Sequence, residues 1–160
     1  MKNITYPFIP GGKTIHYVSA DNEYMKAAKE FALSHSLDKN QQTGSIIVKN
    51  GKIIGSGANG SDYHETHECE RAKRGIPTGE GYELCEGCHP KNHSESKAIL
   101  DAKSKNNEVA GSDLYLWGHW WCCKSCWNVM IDAGIKNIYL LEGSEKFFNR
   151  NHPENILPKK

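Results

Sequence analysis

Hydrophobic residues recur at helical spacing in three stretches of the chain. The first is 21–35, whose apolar positions are Met25, Ala28, Phe31 and Ala32. Intervals of three and four residues place these side chains on one face of a helix. Asp21 is of a type that caps helix N-termini, so we expect the helix to begin there. The same spacing predicts helices over 93–105 and 123–133, and a shorter terminal helix over 142–150.

Shorter apolar runs between these helices predict strands. Residues 44–49 and 52–57 flank Asn50-Gly51, a pair that favours the tight turn of a β-hairpin. Further strands are predicted over 113–117 and 137–141. The helix between these last two makes a crossover, which joins parallel strands. The order of elements predicts an α/β fold built on one layered sheet.

The segment 59–92, here called the insert, shows no convincing periodicity. It is rich in glycine and charged residues, and it contains three of the cysteines and several histidines. A loop of this length inside a compact domain needs something other than a core to order it.

Composition narrows the function classes. The 160 residues suffice for one domain, expected to span 1–160, and 20 basic against 19 acidic residues leave a net charge of +1. A nucleic-acid partner is therefore disfavoured. No apolar run approaches the roughly 20 residues of a membrane span, and the first ten residues lack the apolar core of a signal peptide. We expect a cytoplasmic protein.

The six cysteines all lie between residues 69 and 126. They include two Cys-x-x-Cys pairs, Cys85 with Cys88 and Cys123 with Cys126, and histidines lie among them. In a reducing compartment this pattern favours zinc ligands over disulfides.

One combination of residues has the composition expected of a catalytic metal site. His93 begins one predicted helix, and Cys123 and Cys126 begin the next at a spacing that places both sulfurs on one face. One imidazole and two thiolates would hold a zinc ion with its fourth position open for water. Glu95, two residues after His93, is expected to act as the general base on that water without binding the metal.

These residues resemble the zinc-dependent cytidine and deoxycytidylate deaminases, whose signature is H-x-E followed by P-C-x-x-C. The flanking segments 43–60 and 132–138 are also similar to the family. The resemblance implies a three-layer α/β/α sandwich with a mixed sheet, a small nucleotide as substrate and a homo-oligomer. It also implies that Asn59 contacts the substrate sugar and that the backbone N–H of Ser94 lies near the base edge.

The sequence leaves open one ligand of each predicted zinc site. Cys122 replaces the family's usual proline, so either Cys122 or Cys123 could bind the catalytic zinc, and the motif spacing favours Cys123. In the insert, Cys69, Cys85 and Cys88 would need one histidine to close a structural zinc site. We choose His64, with His67 and His89 as alternatives. Deoxycytidylate deaminases often carry a second metal, which supports two zinc ions per chain.

The expected function is hydrolytic deamination of a cytosine nucleotide, dCMP to dUMP, with release of ammonia. The alternatives are deamination of another base or nucleoside (cytidine, or adenosine in tRNA) and a non-catalytic zinc-binding module. His119, Trp120 and Trp121 could line a base pocket, although aromatic residues at a strand end are more often part of the core. Arg71, Lys73 and Arg74 could meet a phosphate, although a solvated turn is the simpler interpretation.

Overall fold

A five-stranded mixed sheet forms the centre of the protein. The computed structural model describes residues 7–38, 40–77 and 80–158, and it leaves the side chain of His64 undescribed. The strand order is β1-β5-β4-β2-β3. The strands are β1 (Ile15–Val18), β2 (Gly44–Lys49), β3 (Lys52–Ala58), β4 (Asp113–Trp117) and β5 (Asn137–Leu141).

The direction of the strands follows from their connections. β2 and β3 form the predicted antiparallel hairpin, and both Asn50 and Gly51 adopt the positive φ angles that its turn requires. β2 also pairs antiparallel with β4. β4, β5 and β1 run parallel, as predicted for β4 and β5 from the crossover helix between them.

Helices cover both faces of the sheet. Three of them are long, namely α1 (Glu23–His35), α4 (Ser94–Ser104) and α5 (Lys124–Asp132), and α6 (Ser144–Phe148) is short. The helices α4 and α5 pack with Ile47 and Leu114 in one core cluster, whereas α1 and α6 pack with Ile46 and Tyr115 in another. Adjacent strand residues thus face opposite layers, and the three-layer α/β/α arrangement is confirmed.

Two glycines let α4 approach the sheet closely. A Cβ atom at Gly57 would lie 2.4 Å from the backbone nitrogen of Ala98 and from the carbonyl oxygen of Ser94. At Gly55 it would lie 2.5 Å from the carbonyl oxygen of Ala98. Because no side chain separates β3 from α4, the first turn of α4 is held directly against the sheet.

Several predictions need correction in detail. α1 begins at Glu23, and its cap is Asn22, whose side chain accepts hydrogen bonds from the backbone of Tyr24 and Met25 at 3.0 Å. Asp21 therefore does not cap it. The strand β1 was not predicted, because its middle residues His16 and Tyr17 are exposed and leave no apolar pattern.

The insert contains only short elements. They are α2 (Tyr63–Thr66), α3 (Glu70–Lys73) and two 3₁₀ turns, Tyr82–Leu84 and Pro90–Asn92. Among the residues described, no helix has the length and apolar character needed to cross a membrane.

Candidate functional site

Two helix N-termini bring the predicted catalytic ligands together. His93 is the residue before α4, and Cys123 is the N-cap of α5. The Nδ1 atom of His93 lies 3.2 Å from Sγ of Cys126 and 3.5 Å from Sγ of Cys123. The donor atoms of all three residues lie within 4.8 Å of one another. We call these three residues the helix-tip cluster.

The backbone of α5 prepares this cluster for a cation. The Cys123 sulfur accepts a hydrogen bond from the backbone N–H of Cys126 at 3.3 Å, and the N-terminus of a helix favours a thiolate. A hydrogen bond from the Cys126 thiol lowers the pKa of Cys123 to about 6, against the opposing effect of burial. The same bond, together with burial, raises the pKa of Cys126. A metal bound to both sulfurs would displace the thiol protons.

The separations fit a zinc ion. Ligands at usual zinc distances and tetrahedral angles place nitrogen and sulfur roughly 3.5 Å apart. The observed separations of 3.2 and 3.5 Å agree with this value. Three protein donors are the number found in catalytic zinc sites, where the fourth position takes water or substrate.

Glu95 is a buried carboxylate in the first turn of α4, with 5% of its surface exposed. The hydroxyl of Ser94 donates to its Oε1 at 2.9 Å. Ser94 Oγ also lies 2.8 Å from Ser45 Oγ on β2, and both serines are fully buried. Since Ser94 gives its only hydrogen to Glu95, Ser45 must be the donor in this second bond. The sequence did not reveal this pair of hydroxyls.

Cys122 lies in the core and outside the helix-tip cluster. Burial and the negative charge of nearby Glu95 raise the pKa of its thiol well above its ordinary value. The geometry therefore favours Cys123 over Cys122 as the ligand. A hydrogen bond between the side chains of Cys122 and Glu95 also places Glu95 close to Cys123, the next residue along the chain.

A second cluster lies in the insert, where the donor atoms of Cys69, Cys85 and Cys88 also come within 4.8 Å of one another. The sulfurs of Cys69 and Cys88 are 3.6 Å apart. This separation is too long for a disulfide and close to the roughly 3.8 Å between two thiolates on one zinc ion. We call these three residues the insert cluster.

The fourth ligand of the insert cluster stays a prediction. The side chain of His64, the predicted ligand, is outside the described residues. In the described part of the chain, no histidine joins the three sulfurs within 4.8 Å. His67 stacks on Tyr63, and Nδ1 of His89 accepts a hydrogen bond from the backbone of Lys91.

Comparisons with known proteins agree with this geometry. The family model described as "Cytidine and deoxycytidylate deaminase zinc-binding region" matches residues 18–142. The chain belongs to this family. It is accordingly a zinc-dependent deaminase, a hydrolase that acts on C–N bonds, with the deaminase fold that the sequence predicted.

Individual relatives are distant. An "uncharacterized deaminase in luxG 3'region" of Aliivibrio fischeri is 28% identical over 121 residues, which cover 76% of this chain and 72% of the relative. The crystal structure of dCMP deaminase from the cyanophage S-TIM5 is 26% identical, has a TM-score of 0.50, and is matched over 73% of this chain and 78% of its own. A second structure of that enzyme, in complex with dCMP and dUMP, is 25% identical with a TM-score of 0.49 and is matched over 76% and 82%.

In this deaminase, Asn59 has a clear structural role. Its carboxamide oxygen accepts hydrogen bonds from the backbone N–H of Thr43 at 2.9 Å and from the Ser36 hydroxyl. Its Nδ2 donates to the carbonyl of Gln41 at 2.8 Å. The side chain fastens the loop between α1 and β2 to the end of β3. Its contact with a substrate sugar stays a prediction, as does that of the Ser94 N–H with the base.

His119 and Trp121, which follow β4, differ in burial. Trp121 is buried in the core, as the simpler interpretation held. His119 is half-buried, and its Nδ1 accepts the backbone N–H of Trp120 at 3.0 Å. Burial, aided by the charge of His93, lowers the pKa of His119 to about 3, so its ring is neutral with the hydrogen on Nε2.

The basic residues of the insert are only in part a solvated turn. Lys73 forms surface ion pairs with Glu68 and Glu70. Arg71 instead points inward, and its Nη1 donates to Sγ of Cys88 at 3.5 Å. No local sequence motif predicted this contact.

Proposed function

We propose that this deaminase converts dCMP to dUMP with release of ammonia. One observation supports catalysis above all others: a buried, hydrogen-bonded carboxylate, Glu95, adjoins a cluster with three metal donors. A zinc site with a purely structural role uses four protein ligands and needs no such acid. This arrangement argues against the alternative of a non-catalytic zinc-binding module.

The chemistry of the site follows from its residues. A zinc ion held by His93, Cys123 and Cys126 would lower the pKa of a water molecule and so supply the nucleophile. Glu95 would take one proton from that water and pass it to the ring nitrogen of cytosine while the oxygen bonds to C4. Glu95 would then carry the second proton, from the hydroxyl now on C4, to the amino group, so that the bond between C4 and this nitrogen breaks, C4 becomes a carbonyl and ammonia leaves.

Ser94 and Ser45 keep the carboxylate of Glu95 in place. The two hydroxyls form a chain from β2 to the first turn of α4, so the sheet supports the base directly. Because both serines are buried, water does not compete for these hydrogen bonds.

The choice of dCMP rests on the similarity to the cyanophage dCMP deaminase and on the insert, which resembles that of deoxycytidylate deaminases. The net charge of +1 disfavours a tRNA substrate, for which a basic surface would be expected. Deamination of cytidine or of another aminated base is the alternative.

A panel assay distinguishes these substrates. Zinc-loaded protein is incubated with dCMP, CMP, deoxycytidine, cytidine and adenosine, and released ammonia is measured. We expect kcat/KM to be highest for dCMP by at least about tenfold, which corresponds to roughly 1.4 kcal/mol of transition-state binding. Equal rates with deoxycytidine would refute a mononucleotide substrate, and ammonia release from adenosine alone would refute a cytosine substrate.

We also propose two zinc ions per chain, one at each cluster, and a homo-oligomeric assembly of single-domain chains. Zinc analysis of metal-washed protein should give two equivalents per chain, and one equivalent would refute the second site. Light scattering coupled to size exclusion should give at least twice the mass of the 17.9 kDa chain, and the mass of one chain would refute the oligomer.

A further inference from the structure

The two clusters are connected by a direct hydrogen bond. The Nε2 atom of His93 lies 3.1 Å from the backbone carbonyl oxygen of Cys88. A carbonyl oxygen only accepts, so Nε2 must carry the hydrogen. The lone pair of the ring is then on Nδ1, the atom that faces the sulfurs of Cys123 and Cys126. The Cys88 carbonyl therefore selects the tautomer in which His93 can bind a metal.

A second contact restrains the same ring. The aromatic ring of Tyr82, which also lies in the insert, packs edge-on against the His93 ring, with centroids 4.9 Å apart and an interplanar angle of 84°. The guanidinium of Arg71 lies 4.5 Å from the centre of the Tyr82 ring and also bonds Sγ of Cys88. Thus Arg71 links a sulfur of the insert cluster to the ring that packs on His93.

The insert has little core of its own to hold these groups. Among its described residues, Cys85 and Pro90 are the only ones that are buried. The position of the Cys88 carbonyl therefore depends on what holds the turn from Cys85 to Cys88. A metal bound to the three sulfurs would close this turn and tie it to Cys69.

We propose that metal binding at the insert cluster positions His93 through the Cys88 carbonyl and thereby strengthens metal binding at the helix-tip cluster. Cys88 is then a positioning residue for the catalytic site as well as a metal ligand. This inference rests on the proposed function, because it requires that both clusters bind zinc. It predicts that the two zinc affinities are coupled.

The test measures zinc affinity and does not depend on turnover. Wild-type protein and Cys85→Ser are loaded with zinc, counted by mass spectrometry and titrated with a competing chelator. We expect Cys85→Ser to retain one equivalent, bound about 10- to 100-fold more weakly than the catalytic zinc of the wild type, as is usual when an outer-shell partner of a ligand is lost. Glu154→Gln, which breaks the exposed ion pair with Lys146 outside the insert and keeps all thiols, is the control and should leave both affinities unchanged.

The coupling must also act in reverse. If insert metal strengthens helix-tip binding by a given factor, helix-tip metal strengthens insert binding by the same factor. Cys126→Ser should therefore weaken zinc binding at the insert cluster to a similar degree. A retained zinc of unchanged affinity in either variant overturns the coupling but leaves the proposed function intact. Fewer than two equivalents in the wild type would instead refute the proposed second zinc site.

A spectroscopic measurement on the wild type covers the case in which Cys85→Ser fails to fold. Nitrogen-15 NMR of the zinc-loaded protein should show His93 with hydrogen on Nε2 and no hydrogen on Nδ1. A His93 ring with hydrogen on Nδ1, or an unprotonated Nε2, would overturn the proposal.

Discussion

The helix-tip cluster and the insert cluster both contain a Cys-x-x-Cys pair but lie in different surroundings. The ligands of the first lie at the starts of α4 and α5, two helices whose apolar faces pack on the sheet. The ligands of the second lie in a segment where Cys85 and Pro90 are the only described residues that are buried. In the first region the packing of helices on the sheet positions the donor residues, whereas the second region has little packed core of its own.

The pKa values of two cysteine thiols also differ between the clusters. Hydrogen bonding from the Cys126 thiol lowers the pKa of Cys123 to about 6, and the backbone N–H of Cys126 also donates to the Cys123 sulfur. Burial raises the pKa of Cys88 to about 12, against the opposing effect of the hydrogen bond from Arg71. The same Cys-x-x-Cys spacing thus occurs at a helix N-terminus in one cluster and in a loop in the other.

The sharpest contrast concerns chemistry, which only the helix-tip region should perform. Glu95→Gln removes the base while keeping its size, so we expect kcat to fall about 10²- to 10⁴-fold with the zinc content unchanged. Steady-state kinetics and zinc analysis measure both quantities.

Glu23→Gln is the matched control, because Glu23 is also a first-turn acid but is exposed. Its kinetics should equal those of the wild type. A Glu95→Gln variant with wild-type kcat would mean that Glu95 is only a helix-dipole partner.

Removal of metal should separate the two regions. Chelation should leave the sheet protected, because its strands are held by their backbone hydrogen bonds and by apolar packing against the helices on both faces. We expect hydrogen exchange in the insert to accelerate about 100-fold, while β2 and β4 keep their protection. Exchange that accelerates equally in the strands would show that the sheet also depends on metal.

The close packing of α4 against β3 predicts a smaller effect, on the free energy of unfolding. Gly57→Ala places a methyl group against the backbone of Ser94 and Ala98 and should cost roughly 1–3 kcal/mol in the free energy of unfolding. Urea denaturation measures this change.

Gly11→Ala is the control, since a Cβ there meets nothing within 4 Å. Its free energy of unfolding should equal that of the wild type. A Gly57→Ala variant as stable as Gly11→Ala would contradict the close approach of β3 and α4.

The smallest effect is expected for the hydroxyl chain behind Glu95. Ser94→Ala removes one hydrogen bond to the carboxylate, worth about 0.5–1.5 kcal/mol, so kcat should fall roughly 2- to 12-fold. Ser45→Ala should have a similar or weaker effect. A larger loss of activity accompanied by loss of zinc would show that the serines support the metal ligands instead.

Local sequence patterns predicted most of the fold. The hairpin, three main helices and strands β4 and β5 each carry their own periodicity or turn signal, and the His93, Cys123 and Cys126 set has metal-ligand spacing. Strand β1 could not be predicted, because it is short and half exposed. The capping residue was misplaced by one position, since Asp21 and Asn22 are adjacent residues of equally suitable types.

The hydrogen bonds that support the site residues could not be predicted from the sequence. The bond between Ser45 and Ser94 joins residues that are 49 positions apart, and neither serine has a distinctive local motif. The bond from His93 to Cys88 uses a backbone carbonyl, which every residue possesses. Such contacts depend on how the elements pack, so only the three-dimensional structure reveals them.

Anomalous diffraction at the zinc edge from crystals of the metal-loaded protein tests the contrast between the two clusters most directly. We predict two zinc peaks per chain. The helix-tip zinc should have three protein ligands, His93, Cys123 and Cys126, and a fourth, non-protein ligand beside Glu95, whereas the insert zinc should have four protein ligands. A helix-tip zinc with four protein ligands, or one turned away from Glu95, would contradict the account.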